Sequence, residues 1–496
     1  MASESFRLSG EVLPKTETAA GEARPFVATP EVPAAARHWT AVAVGSLVVA
    51  GLLSLSVVIG RLPVISPLIA DPLFFKRCLV VHVDLSLLVW FYGFLVAMAA
   101  LRTPRGGERI GRAGLVMSVA GVLAMLAGAL VPGAEPILAN YVPVIDHPVF
   151  LLGLGLFFAG VLTILLRNLL APPGSVAGGL PADAARGVQA AAVAMMLAAA
   201  TAVTALAGLP AGLDAPIFYE FAAWGSGHVL QVANVCAMLA AWLWLLRRAT
   251  GVRVMTATAA RRWFILLLVP HFAMPLLTWR GSLNTLYIDG ATQLMTWGIF
   301  PVVLAVLSLC VRHLKRHPLK TGDVVARAAR AGFAASAALT LLGFALGAMI
   351  RESTTLIPAH YHASLGAVTV SFMAGAYLMF ESLAAGRGRL EAARNRLRKA
   401  RHQLAGFACG QAVFAAGFGI AGWHGLGRKS YGAEQHVRTT GEFFGLGVMG
   451  FGGLVAVAAG LWFIFLALRE IRRWREPAAP PERSIHPIRP THEPQT

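Results

Sequence analysis

Twelve long apolar stretches, separated by short polar connections, run the length of the chain: 40–62, 76–101, 112–132, 143–167, 186–208, 217–246, 262–279, 290–311, 331–351, 358–383, 403–425 and 441–468. A helix rises about 1.5 Å per residue and needs about 20 apolar residues to cross a bilayer core. The pattern therefore predicts an all-α polytopic membrane protein, a twelve-transmembrane-helix bundle over residues 38–469. Residues 1–37 are polar and rich in Glu, Pro and Ala, and residues 470–496 have the composition of a linker. Both read as disordered tails, and the first lacks the short apolar core that a cleaved signal peptide carries near Met1. No internal repeat and no soluble domain interrupts the bundle.

Composition and charge sharpen this picture. Apolar residues make up 57% of the 496 positions and charged ones only 13%, against about 25% charged in ordinary globular domains, so a large soluble enzyme is excluded. The net charge of +18 would suit a nucleic-acid binder only on a solvated face. Instead, about 24 Lys and Arg residues fall in the connections after even-numbered spans and about 8 in the odd ones. Basic residues concentrate in cytoplasmic loops. Both termini are therefore expected in the cytoplasm, with the chain in the inner membrane of a bacterium and no nucleic-acid partner. The four cysteines (Cys78, Cys236, Cys310 and Cys409) are scattered in apolar surroundings, form no CxxC pair, and read as core residues.

Ionisable side chains inside a span are costly and therefore candidates for function. Of 14 histidines, nine fall in tails, loops or span ends, and five lie within spans: His82, His228, His271, His360 and His362. Counting from the outer ends, His82 is about six residues deep, or roughly 9 Å. His271 is about nine residues deep, His360 and His362 about eight and ten, and His228 about twelve. Four helices thus bring five imidazoles to one layer in the outer half of the bilayer. Imidazole ligates haem iron, copper, zinc and nickel alike, so depth alone names no metal. At about 100° per residue, His360 and His362 project roughly 200° apart around their helix. They can serve two planar cofactors on opposite sides: one six-coordinate with His82, the other open toward His228 and His271.

The segment HYHASLGAVT (360–369) resembles the tenth helix of the catalytic subunit of the haem–copper oxidase superfamily. His82 in HVDLSLLVWF resembles that family's second-helix haem ligand, WGSGHVLQ (224–231) is similar to its sixth helix, and PHF (270–272) to its seventh. The resemblance spans all twelve helices. It implies that His82 and His362 ligate a low-spin haem and His360 a high-spin haem. His228 and His271 would then hold a non-haem metal, copper or iron. The stretch GLGRKSY (425–431) resembles the family's propionate-binding segment, implying that Arg428 and Lys429 pair with propionates, and Arg280 is a further candidate at the same surface.

Three departures shape the expectation. The family usually has paired histidines on helix seven, but here Pro270 takes the first position, so the third metal ligand is open. Gln231, one turn after His228, is a candidate for that place or for an interhelical bond, and Glu220 is a weaker one. The family's oxygen reductases carry a tyrosine on helix six or seven, whereas span 7 has none and span 6 only Tyr219, near the outer interface. The inner halves of spans 2 and 8 lack the acid or lysine of a proton channel. Asp84, near His82, can orient a ligand, carry a proton or bond a neighbouring helix.

These departures resemble the nitric oxide reductases of the superfamily. The expected function is reduction of nitric oxide to nitrous oxide. A divergent terminal oxidase reducing O₂, and a non-catalytic haem-bearing gas sensor or electron relay, are the alternatives. Without a CxxCH motif, the electron donor must be another molecule, such as a c-type cytochrome, a cupredoxin or quinol. The resemblance also implies a small companion membrane subunit.

Overall fold

The computed structural model describes residues 33–59, 71, 73–102, 108–170, 179–319, 322–428 and 437–475. Twelve helices within these are long and apolar enough to cross a membrane. They are α1 (Ala34–Ile59), α2 (Phe74–Ala100), α3 (Glu108–Ala129), α4 (Pro148–Leu170), α5 (Ala182–Gly208) and α6 (Ala215–Thr250). There follow α7 (Ala257–Trp279), α8 (Thr285–Arg316), α9 (Val324–Met349), α10 (Leu356–Ala385), α11 (Leu390–Trp423) and α12 (Thr440–Arg472). The twelve-helix bundle expected from hydropathy is what the chain forms.

The ends of the bundle differ from the sequence boundaries by a turn. Helix α1 begins at Ala34, inside the stretch read as tail, because Trp39 and Ala36 are buried and extend its apolar face. Helix α12 runs past Arg469 to Arg472 because Glu470 is buried against Arg396. The rest of both expected tails, residues 1–32 and 476–496, lies outside the described residues.

Three helices form the centre. The most apolar stretches of α2, α6 and α10 are 72%, 89% and 83% buried, against 22–50% in the other nine. These three carry His82, His228, His360 and His362. The peripheral helices turn large apolar side chains outward, among them Leu123, Leu152, Leu276, Trp297, Phe451 and Leu454, as lipid contact requires. Cys409 is also exposed on this periphery, unlike the buried Cys78, Cys236 and Cys310, which corrects its reading as a core residue.

The two ends of the bundle are built differently. At the arginine-rich end, Arg248 of α6 donates to Glu381 of α10 at 2.6 and 2.7 Å and pairs with Asp323 at 2.8 Å. Arg394 of α11 also reaches Glu381, at 3.0 Å. This network ties α6, α9, α10 and α11 together. Burial works to raise the Asp323 carboxyl, but Arg248 and the Ala326 amide outweigh it and hold the group below the usual carboxylate value. Between this network and the histidine layer lies an aromatic core of Trp90, Phe91, Phe94, Phe372 and Phe463.

At the opposite end, the connection between α3 and α4 forms a short antiparallel hairpin, β1 (Glu135–Ile137) and β2 (Val144–Asp146). The buried Arg77 braces it, donating to the carbonyls of Ala129 (2.8 Å) and Ala134 (3.2 Å) and pairing with Asp71. The guanidinium of Arg77 beside it holds the Asp71 carboxyl below its ordinary value.

Helix α2 is not uniform. A π-helical turn at Leu85–Val89 follows His82 and Asp84. Such turns insert one residue into an α-helix and recur at functional sites.

Candidate functional site

His82 is set by α1. Its Nδ1 lies 2.8 Å from the Ala50 carbonyl, which can only accept, so the proton sits on Nδ1 and the Nε2 lone pair faces away. On α10, His360 Nδ1 donates in the same way to the Gly343 carbonyl of α9 at 2.7 Å. His362 faces the other side of the helix, with its ring 4.5 Å from Phe414 and 5.9 Å from Phe418 of α11. The two histidines therefore face different neighbouring helices, His360 toward α9 and His362 toward α11. His362 of α10 and His82 of α2 are near enough for their charges to interact.

The second pair joins α6 and α7. His228 Nδ1 bonds the Trp224 carbonyl one turn earlier at 2.7 Å. His271 Nδ1 bonds the Leu267 carbonyl at 2.9 Å. The two imidazoles are also within electrostatic range of each other. His271 sits in a 3₁₀ turn, Val269–Ala273. Pro275 has no N–H to offer the His271 carbonyl in the α pattern, and Met274 bonds that carbonyl instead. The tightened turn aims a side chain on a peripheral helix inward, where it is 1% exposed. Its Nε2 is buried and meets no hydrogen-bond partner among the described residues.

Glycines make room for these rings. A Cβ on Gly298 of α8 would stand 2.8 Å from His271 Cε1, and one on Gly347 of α9 would stand 2.6 Å from His360 Nδ1. Four imidazoles thus share one design, with Nδ1–H fixed on a backbone carbonyl and Nε2 turned away from it. Metal-ligating histidines are oriented in this way, and the second hydrogen bond fixes both tautomer and ring direction. An unpartnered nitrogen buried at His271 is costly unless something fills its lone pair. The residues fit metal ligation at both pairs.

Tyrosine is where sequence reasoning fell short. Tyr141, from the loop between β1 and β2, places its hydroxyl 3.2 Å from His228 Nε2, with ring centroids 4.8 Å apart. Its backbone φ of 67° is the one positive value among described non-glycine residues, a conformation kept only where surroundings impose it. The imposing contacts come from α6. Glu220 accepts hydrogen bonds from the backbone and side-chain amides of neighbouring Asn140, the first at 2.9 Å. Gly227 leaves the space that the Tyr141 ring occupies. Burial, then the Glu220 charge, pushes the Tyr141 phenol up against the opposing pull of Arg428, so the group is a neutral phenol at ordinary pH.

A second tyrosine, Tyr287 of α8, stacks edge-on to Trp224 at 5.1 Å, and Trp224 in turn meets His228 at 4.1 Å. Gly225 opens the room for the Tyr287 hydroxyl. The glycines of WGSGH, flanking Ser226 just before the histidine, were the available signal for both rings. The tyrosines near His228 come from a loop and from α8, not from α6 and α7, the two helices on which the resemblance would place one.

Other anticipated residues fall as follows. The Gln231 amide oxygen accepts from Asn234 on its own helix at 3.3 Å. Asp84 is fully buried, and neither of its carboxylate oxygens meets a partner among the described residues. Arg428 docks on the start of α10, donating to Ser353 Oγ at 2.9 Å, within electrostatic range of Tyr141. Arg280 caps α7 and is exposed. Lys429 lies outside the described residues. Among the described residues, no three His, Cys, Asp or Glu side chains gather as a metal cage, so the His228–His271 pair gains no third ligand of those types.

No family model matches the chain. It is 29% identical over 351 residues to an uncharacterized protein of Aquifex aeolicus (strain VF5), covering 70% of this chain and 84% of that one. It is 23% identical over 491 residues to the uncharacterized protein RP382 of Rickettsia prowazekii (strain Madrid E), covering 87% and 94%. A cryo-EM structure described as a heme-copper terminal oxidase dimer superposes with a TM-score of 0.65 at 17% identity, covering 90% of this chain and 84% of that one. The twelve-helix bundle therefore shares its fold with that heme-copper terminal oxidase chain.

Proposed function

We propose that the protein is a respiratory membrane oxidoreductase that reduces nitric oxide to nitrous oxide. Its centre would hold a low-spin haem, and a high-spin haem facing a non-haem metal, copper or iron. The observation that carries this reading is the shared design of the imidazoles. His82, His228, His271 and His360 each fix Nδ1 on a carbonyl, and His271 leaves Nε2 buried and unpartnered.

In this reading His82 and His362 hold the low-spin haem, His360 the high-spin one, and His228 with His271 the non-haem metal. Arg428 and Lys429, with Arg280 as a further candidate, pair with propionates at the hairpin end. The metals supply electron transfer and polarise the bound gas. The chain's own share is orientation and dryness. Carbonyl anchors hold His82, His228, His271 and His360, glycine-walled niches seat His271 and His360, and Trp224 and Tyr287 pack beside His228. Joining two NO molecules consumes two electrons and two protons and releases N₂O and water. The aromatic packing of Trp90, Phe91, Phe94 and Phe372 beneath the histidine layer favours proton entry from the hairpin end. Electrons would come from a c-type cytochrome, a cupredoxin or quinol, with a small companion subunit in the membrane. The arginine-rich loops favour placing both termini in the cytoplasm of a bacterium.

One observation favours a second reading, reduction of O₂ to water. The Tyr141 hydroxyl beside His228 offers the proton and electron donor that splitting O₂ requires. Gas measurements on the purified protein decide between them. N₂O formed from NO with negligible O₂ uptake is the result expected, and rapid O₂ consumption without N₂O formation would replace the first reading with the second.

A further inference from the structure

We infer that Tyr141 is the third protein ligand of the metal held by His228 and His271, binding through its phenolate oxygen. The inference rests on the proposed metal at that pair.

Pro270 occupies the position where a second histidine of α7 would stand, and no third His, Cys, Asp or Glu joins the pair among the described residues. The Gln231 oxygen is already turned to Asn234. Tyr141 has the right geometry. Nitrogen and oxygen ligands sit about 2.0–2.2 Å from a metal such as zinc, so two of them at angles between 90° and tetrahedral are about 2.8–3.6 Å apart. The observed separation of Tyr141 Oη and His228 Nε2 is 3.2 Å. Phenolate is an established iron ligand type.

The loop is built to deliver this one atom. Asn140 is clamped by Glu220 two turns before His228 on the same helix, Gly227 admits the ring, and the backbone of Tyr141 accepts a φ of 67°. A tyrosine merely filling space needs none of these three devices. On ligation the phenol O–H bond breaks as the oxygen–metal bond forms. The proton leaves to water at the hairpin end, and no electron moves.

The test compares the full-length oxidised protein with Tyr141→Phe and Tyr287→Phe by metal analysis and resonance Raman spectroscopy, with tyrosine deuterated on the ring. Deuteration shifts phenolate modes and leaves haem modes in place. The wild type and Tyr287→Phe should show deuterium-sensitive phenolate modes. Tyr141→Phe should lose them and bind the non-haem metal about 10-fold or more weakly, with an unchanged low-spin haem spectrum reporting an intact fold. Metal bound without such modes, or modes that survive in Tyr141→Phe, would overturn the ligand assignment alone. Wild-type protein that binds haem but no other metal would overturn the metal at His228 and His271, and this inference with it.

Discussion

Gly298 of α8 stands against the imidazole of His271, and a methyl group there would lie 2.8 Å from Cε1 and 3.3 Å from Nε2. The neighbour cannot withdraw freely, since its Nδ1 is tied to the Leu267 carbonyl. Gly298→Ala should therefore rotate the ring off its anchor. The expected cost is about 1–3 kcal/mol of stability and about a 10-fold or larger loss of non-haem metal affinity, with haem absorption unchanged. Retained metal at wild-type stoichiometry would show that the ring has room to move.

Separate substitutions on the two faces of α10 should separate the haem signals. His360→Ala is expected to abolish the high-spin signal and spare the low-spin one. His82→Ala and His362→Ala should do the reverse. Optical and EPR spectra of the membranes suffice, and loss of only the low-spin signal in His360→Ala would reverse the assignment of the two faces.

Glu381 is 3% exposed and accepts from both Arg248 and Arg394. Removing Glu381 leaves the buried Arg248 with Asp323 as its remaining partner, so the cost falls below the ~3–5 kcal/mol of a fully stranded charge. Glu381→Ala should thus lower the melting temperature in detergent, while the histidine layer, at the other end of the bundle, keeps its spectra in whatever protein remains folded. A melting temperature within a degree or so of wild type would mean that Asp323 alone compensates Arg248.

The same network predicts an acid limb. Because the Asp323 carboxyl is held below its ordinary value, its contribution to stability is complete above the unfolded-state pKa of about 3.9 and is lost as pH falls through the lower folded value. Asp323→Asn keeps the helix cap that bonds the Val325 and Ala326 amides, since Asn caps as well as Asp, and removes only the charge. The gap in melting temperature between wild type and this variant should be widest near pH 7 and shrink below about pH 4. A gap independent of pH would assign it to packing instead.

The chain announced its architecture through apolar run lengths, because a bilayer demands whole spans. It announced the histidines because polar groups at that depth are rare. The divergence of His360 and His362 followed from helix geometry and is met in their contacts with Gly343 and Phe414. The carbonyl anchors were not legible, since a hydrogen bond from His82 to Ala50 depends on helix–helix contact that leaves no mark in either residue. Tyr141 was hidden for another reason. It lies in a connection between two spans, outside any apolar run long enough to cross the bilayer, and only the folding back of the hairpin, held through Asn140 and Glu220, carries it to His228.

The π-turn of α2 makes chain length itself a functional variable. Deleting one residue within Leu85–Val89 would allow the helix to relax to regular α geometry. That deletion would keep the two halves in phase, whereas closing the turn to α geometry with every residue in place would turn everything before it by about 100° relative to everything after it. With Trp90, Phe91 and Phe94 locked in the aromatic core, the rotation must be taken up at the other end, swinging His82 away from Ala50 and His362. The extra residue acts as a phase setting between an inert half of the helix and a working one.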